Sequence, residues 1–148
     1  MSDNSKFVSR TGKLSCTPAE LFGFITDIRN LGQFIPEGSV KNWHATVDSC
    51  NFGVTPLGIV KVRITEKTPF SLVSFSGDAL QKNDFNLNVQ INNTENKLGE
   101  VRLVLTADLN PVLKMMASGP IEKFLETLIS EMEKFEKWNE TFKESQPL

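Results

Sequence analysis

The stretch from Pro111 to about Trp138 is the only segment long and periodic enough to cover a whole sheet, so it dictates what the rest of the chain must supply. From Ile121 on, Leu125, Leu128, Met132 and Phe135 recur at helical steps, and Phe124, Ile129 and Trp138 widen the stripe into an apolar face. The opposite face carries Glu122, Lys123, Glu126, Glu133, Lys137 and Glu140. Burying such a face is worth on the order of 15–30 kcal/mol gross, before ordering entropy is subtracted. An isolated helix cannot hold it in water, so the preceding residues must form its partner. Ser118-Gly119-Pro120 predicts a kink, or a short helix followed by a long one.

Those preceding residues read mainly as strands. Lys6 to Ser15 alternates loosely and suits a first strand. Thr17-Pro18-Ala19-Glu20 is a helix start in which Thr17 caps, Pro18 takes the first helical position and Glu20 completes a capping box. Leu21, Phe22, Phe24, Ile25 and Ile28 give that helix its apolar face, and Leu31 to Ile35 reads as a second short helix ending before Pro36.

From Val40 the period becomes two, with Trp43, Ala45 and Val47 on one face and then Phe52 and Val54 inward. Pro56-Leu57-Gly58 marks a turn, after which Val60, Val62 and Ile64 alternate with Lys61, Arg63 and Thr65. Phe70 to Ser76 reads as another strand, with Phe70, Leu72, Val73 and Phe75 as its apolar residues. Phe85, Leu87, Val89 and Ile91 alternate with a solvated Asn86, Asn88, Gln90 and Asn92. Val101, Leu103, Leu105 and Ala107 end the series, and Asn110-Pro111 caps the final helix. About six to seven antiparallel strands must curve around something, and the terminal helix is the element left to fill the concave face. A cavity between sheet and helix follows where that packing is incomplete.

Composition narrows the function. A chain of 148 residues is the size of one domain, so residues 1–148 are expected to share one core. A net charge of −2 without a Lys/Arg run argues against nucleic acid as a partner. No apolar run approaches the roughly twenty residues of a membrane span. Cys16 and Cys50 are too few for a disulfide framework, and no signal-peptide pattern precedes Phe7, so a cytoplasmic location is expected. With no Tyr and His44 the only histidine, phenolic catalysis and a His-rich metal site are excluded.

Taken together, Thr17-Pro18-Ala19-Glu20-Leu21-Phe22 with Thr26-Asp27 and Leu31 to Pro36, Pro56-Leu57-Gly58 before an alternating strand, and Thr106-Ala107-Asp108-Leu109-Asn110-Pro111 opening the final helix carry a resemblance. The chain resembles the START / birch-pollen-allergen (SRPBCC, helix-grip) superfamily, in particular its small polyketide cyclase/dehydrase-like bacterial proteins. The resemblance implies an α+β helix-grip fold, with two short helices after the first strand. It also implies a pocket for a lipid, isoprenoid, polyketide-like or aromatic compound. Its motifs are specific for architecture rather than activity.

The expected lining is Trp43, Phe52, Val62, Phe75, Phe85, Leu87, Leu103, Met116, Phe124 and Leu128. No catalytic residue, metal site or cofactor is assigned. The expected function is binding or transport of a small hydrophobic or amphipathic ligand, with no membrane insertion. A cyclase/dehydrase-type enzyme and a protein-interaction module are the alternatives. Arg10 would be an anchor for a carboxylate headgroup if it faced inward, and Cys16 reads as a small apolar residue. His44 follows Trp43 on a strand and points to the opposite face, away from the pocket. His44→Ala is therefore expected to leave both melting temperature and ligand binding nearly unchanged, as thermal melts and a binding titration would read.

Overall fold

A computed structural model describes residues 4–35, 38, 40–54, 58–79 and 83–138. Pro36, Glu140 and the Pro56-Leu57 part of the expected turn lie outside them. In chain order come β1 (Asn4–Val8), β2 (Gly12–Lys13), α1 (Pro18–Ile25) and a 3-10 helix (Ile28–Phe34). Then follow β3 (Lys41–Ala45), β4 (Ser49–Val54), β5 (Gly58–Thr68), β6 (Leu72–Ala79), β7 (Asn83–Asn93), β8 (Gly99–Asp108) and α2 (Pro111–Lys134). The strands form one antiparallel sheet in the order β1-β8-β7-β6-β5-β4-β3, with β2 also on β8. This is the α+β helix-grip arrangement, with the short helices after the first strands and the long helix last.

Local chemistry starts the helices where the residues require. Thr17 Oγ1 accepts from the Glu20 amide at 3.1 Å while the Thr17 amide donates to Glu20 Oε1 at 2.9 Å, the reciprocal box that satisfies otherwise orphaned groups. Asp27 caps the 3-10 helix through the Arg29 amide at 3.1 Å, and its carboxylate also meets the Arg29 guanidinium at 2.7 Å. That guanidinium holds the Asp27 carboxyl below its ordinary value. Asn110 Oδ1 accepts from the Leu113 amide at 2.8 Å to open α2.

The expected first strand is broken in two. Val8 pairs with Val104 and Gly12 with Val101, so the chain takes four steps on one strand against three on the other. This bulge at residues 9–11 is bridged by the Ser9 amide on the Leu103 carbonyl and by Ser9 Oγ on the Leu103 amide, both at 2.8 Å. It switches the strand's parity, so that Phe7 and Gly12 both face the interior. Gly12 is where α2 comes closest: a Cβ there would stand 2.9 Å from Ile129 Cγ2.

Beside that contact the bulge presents Arg10 to the helix. Its guanidinium donates to Glu126 Oε2 at 3.0 Å and to Glu133 Oε1 at 2.9 Å, and the Lys13 amide also donates to Glu133 at 3.0 Å. Ser15 Oγ adds a bond to the Phe135 carbonyl at 3.1 Å. Beyond α2, Phe135 and Trp138 close a cluster with Phe24 of α1 and Phe34 of the 3-10 helix. Every pair of these four rings stands within 5.9 Å, centroid to centroid. Such pairs contribute about 0.5–1.5 kcal/mol each beyond area burial.

Several sequence expectations are corrected. α2 is one continuous helix from Pro111 through Pro120 to Lys134, so a short helix followed by a long one is not formed, and it ends before Phe135 rather than at Trp138. Val47 is exposed, not inward. A hairpin closes there because the Thr46 amide bonds the Ser49 carbonyl at 2.8 Å and the Thr46 hydroxyl receives the Ser49 amide at 3.2 Å. Phe70 sits in the Thr68–Ser71 turn at φ 65 rather than in a strand, exposed and edge-on to Phe22. The polar face of β7 is only half wet: Asn88 Oδ1 accepts from Ser74 Oγ at 2.6 Å, and Asn86 Nδ2 donates to Ser76 Oγ at 2.9 Å.

The ion-pair cluster predicts a pH dependence. Arg10 and the Lys13 amide hold the Glu133 carboxyl below its ordinary value. Its contribution is therefore complete above the unfolded carboxyl pKa of about 4.3 and is lost as pH falls through the lower folded value. Arg10→Gln should lower stability at neutral pH only slightly, because the cluster is exposed and solvent-screened. Denaturant melts should show the gap between wild type and variant closing below pH of about 4 and narrowing in molar salt.

Candidate functional site

The concave face of the sheet is covered unevenly. α1 lies over β6, β7 and β8, while α2 lies over β1, β2 and β8 and against the 3-10 helix. Under them the inward side chains are sealed: Val73, Phe75, Val101 and Leu103 are at most 1% exposed. Further along the same face, Val62 and Ile64 of β5 and Phe85 and Leu87 of β7 point inward but stay half-buried. Across from the sheet, Leu113, Ile121, Phe124 and Leu128 of α2 are half-buried too. The sheet and α2 thus each present an apolar wall that packs against the core and keeps part of its surface open.

The expected lining residues divide accordingly. Val62, Phe85, Leu87, Phe124 and Leu128 belong to the half-buried walls. Phe75 and Leu103 are sealed core beneath them, with Phe75 in register with Leu87 and Leu103 with Val89. Trp43 stacks on the buried Phe52 at 5.5 Å, and its indole edge would meet a Cβ on Gly32 at 3.4 Å, so it is wedged between β4 and the 3-10 helix. Met116 is a correction: it is 57% exposed, on the solvent side of α2. Carrying the inner stripe back from Leu128 and Phe124 in helical steps lands on Ile121, Ala117 and Leu113, one position out of phase with Met116. Phase, not apolarity, would have found Leu113 and Ile121.

A depression lies at the sheet edge. A groove of about 290 Å³ runs between β1 and α2, lined by residues 6–10 with Glu122, Leu125 and Glu126. None of the expected lining residues borders it, and the Arg10–Glu126 ion pair occupies its wall.

The chemically versatile side chains are engaged elsewhere. His44 is exposed on β3, paired in register with Asn51. Arg10 serves the helix clamp rather than the concave face, and its two carboxylate partners hold it protonated. Burial pushes the thiols of Cys16 and Cys50 up to about 12, which leaves them un-ionised at neutral pH. Among the described residues no cluster of His, Cys, Asp and Glu could hold a metal ion, and no helix is long and apolar enough to cross a membrane.

No family model and no curated protein matches the sequence. Solved structures do match in fold. Norcoclaurine synthase from Thalictrum flavum superposes with a TM-score of 0.67 at 8% identity, covering 90% of this chain and 86% of that one. The protein XoxI from Bacillus cereus gives 0.65 at 11% identity, covering 90% and 94%. A conserved protein from Geobacillus kaustophilus gives 0.65 at 12%, covering 89% and 93%. At these identities the likeness is one of fold alone.

One glycine shapes the wall. Gly77 lies between Val62 and Phe85 in register, and a Cβ there would collide with the Lys61 carbonyl while standing 3.1 Å from Phe85 Cζ. The Phe85 ring therefore leans over a bare backbone on β6. Gly77→Ala should lose about 2 kcal/mol or more of stability in urea melts, since the colliding atom is backbone and cannot turn aside.

Proposed function

We propose that this protein binds a small hydrophobic or amphipathic molecule on the concave face, between the inward residues of β5 and β7 and the inner stripe of α2. The supporting observation is the pair of half-buried apolar walls, Val62, Ile64, Phe85 and Leu87 opposite Leu113, Ile121, Phe124 and Leu128. Closing water out of that space is the driving force, at about 25 cal/mol for each Å² of apolar surface removed from solvent. The fold likeness supports a place in the START / birch-pollen-allergen superfamily, with the chain acting as one domain. Two buried, un-ionised thiols suit a reducing compartment such as the cytoplasm.

Binding is preferred to cyclase- or dehydrase-type catalysis on the placement of particular groups. His44 faces away, Arg10 is neutralised, and both thiols are silenced by burial. General acid–base work needs a titrating group within reach of the bound molecule.

The test is a titration with the neutral fluorophore N-phenyl-1-naphthylamine, together with native mass spectrometry and solvent extraction of protein purified from cells. Saturable binding at one molecule per chain is expected. Leu87→Trp, which fills the space from a half-buried position, should weaken it by about tenfold or more. Its melting temperature should stay within about 3 °C of wild type. Wild-type affinity in a folded Leu87→Trp would place the binding elsewhere.

A further inference from the structure

Ser5 Oγ is the one buried side-chain polar atom without a hydrogen-bond partner among the described residues. Ser5 is 3% exposed, and alternation with Phe7 along β1 turns it to the interior. A buried hydroxyl left unpaired costs free energy, and native structures seldom keep one without a use.

Its surroundings belong to the concave face. Ser5 pairs with Ala107, Ala107 with Phe85, Phe85 with Gly77, and Gly77 with Val62, so these residues form one row across β1, β8, β7, β6 and β5. Phe85 leans over Gly77, towards β6 and away from β8. On the β8 side of the ring only the small side chains of Ala107 and Ser5 follow. Between the half-buried wall and the unpaired hydroxyl the row is therefore filled only by small side chains. α2 packs on β1 and β8, and the buried residue of its first half is small, Ala117. Among the described residues the polar ties of α2 to the segment from β1 to β2 lie further on, at Glu126, Ser130 and Glu133, and Pro120 has no amide to offer the preceding turn. The first half of α2 is thus held by apolar packing, which a ligand can replace.

We infer that Ser5 is the polar anchor of the concave site, and that the ligand is an uncharged, otherwise apolar molecule presenting one hydroxyl or carbonyl oxygen to it. This rests on the binding function proposed above. A serine hydroxyl can donate to a carbonyl, or both donate to and accept from another hydroxyl. A carboxylate is disfavoured, because among the described residues of the row, Ser5, Ala107, Phe85, Gly77 and Val62, there is no cation to pair with it. Lys6, the neighbour on β1, points to the opposite face and is exposed, and Arg10 is held by Glu126 and Glu133. A buried carboxylate with a single hydroxyl donor would keep most of its desolvation penalty.

Naphthalene, 2-naphthol and 2-naphthoate share one ring system and differ in the polar group, so equilibrium dialysis of each against wild type and Ser5→Ala separates the contributions. In Ser5→Ala, 2-naphthol should bind about five- to tenfold more weakly while naphthalene is unchanged. In wild type at pH 8, 2-naphthoate should bind at least about tenfold more weakly than 2-naphthol. The unliganded Ser5→Ala protein should melt at or above the wild-type temperature, since it loses an unpaired hydroxyl and no contact. Naphthalene and 2-naphthol bound by wild type with no loss of 2-naphthol affinity in Ser5→Ala would overturn the anchor and leave the binding site standing. Tighter binding of 2-naphthoate than of 2-naphthol would overturn the uncharged class. Binding of none of the three to wild type would remove the concave site itself, and the anchor with it.

Discussion

Seating α2 on the bulged edge of the sheet is the constraint from which the rest of this structure follows. The helix carries more apolar surface than water tolerates, and β8 with β1 and β2 offers the matching face. Gly12 lets Ile129 approach, while Arg10 and the Lys13 amide take the carboxylates of Glu126 and Glu133. Apolar burial dominates the energy of this contact, because the ion pairs are exposed and screened. The charges instead select register and orientation. Only one rotation of α2 brings Glu126 and Glu133 to the same guanidinium while Ile129 meets Gly12.

That docking is one-sided, and the openness of the concave face is its consequence. The aromatic cluster of Phe24, Phe34, Phe135 and Trp138 plugs the end where α1, the 3-10 helix and the close of α2 converge. Towards its start, α2 contributes Ala117 as its buried residue, and Val112, Met115 and Met116 turn to solvent. The inward Val62 and Ile64 of β5 and Phe85 and Leu87 of β7, strands that α2 does not cover, stay half-buried.

How far this was readable along the chain can be judged from particular residues. The capping box at Thr17 and Glu20, the Asn110 cap, and the alternations at residues 60–64, 85–91 and 101–107 were legible because each depends on neighbours within a few positions. His44 was legible as outward-facing by the same parity argument. The bulge at residues 9–11 was not, since it depends on how β1 meets β8 across almost a hundred residues of chain. Phe70 was misread because an aromatic residue beside strand-forming neighbours looks like strand, whereas the Thr68–Ser71 hydrogen bond makes it a turn. The outward side of Met116 follows from helical phase, which its apolarity does not reveal.

By itself, then, the sequence determined the kinds of element, their order and the need for a curved sheet around the last helix. These follow from local backbone chemistry and from the period at which apolar residues recur. Only the tertiary structure decided which inward residues are sealed and which remain half-open, that Arg10 clamps a helix instead of facing a ligand, and that Ser5 is buried without a partner. Burial, pairing and pKa are properties of what surrounds a side chain, and here the surroundings come from strands and helices far apart in the sequence.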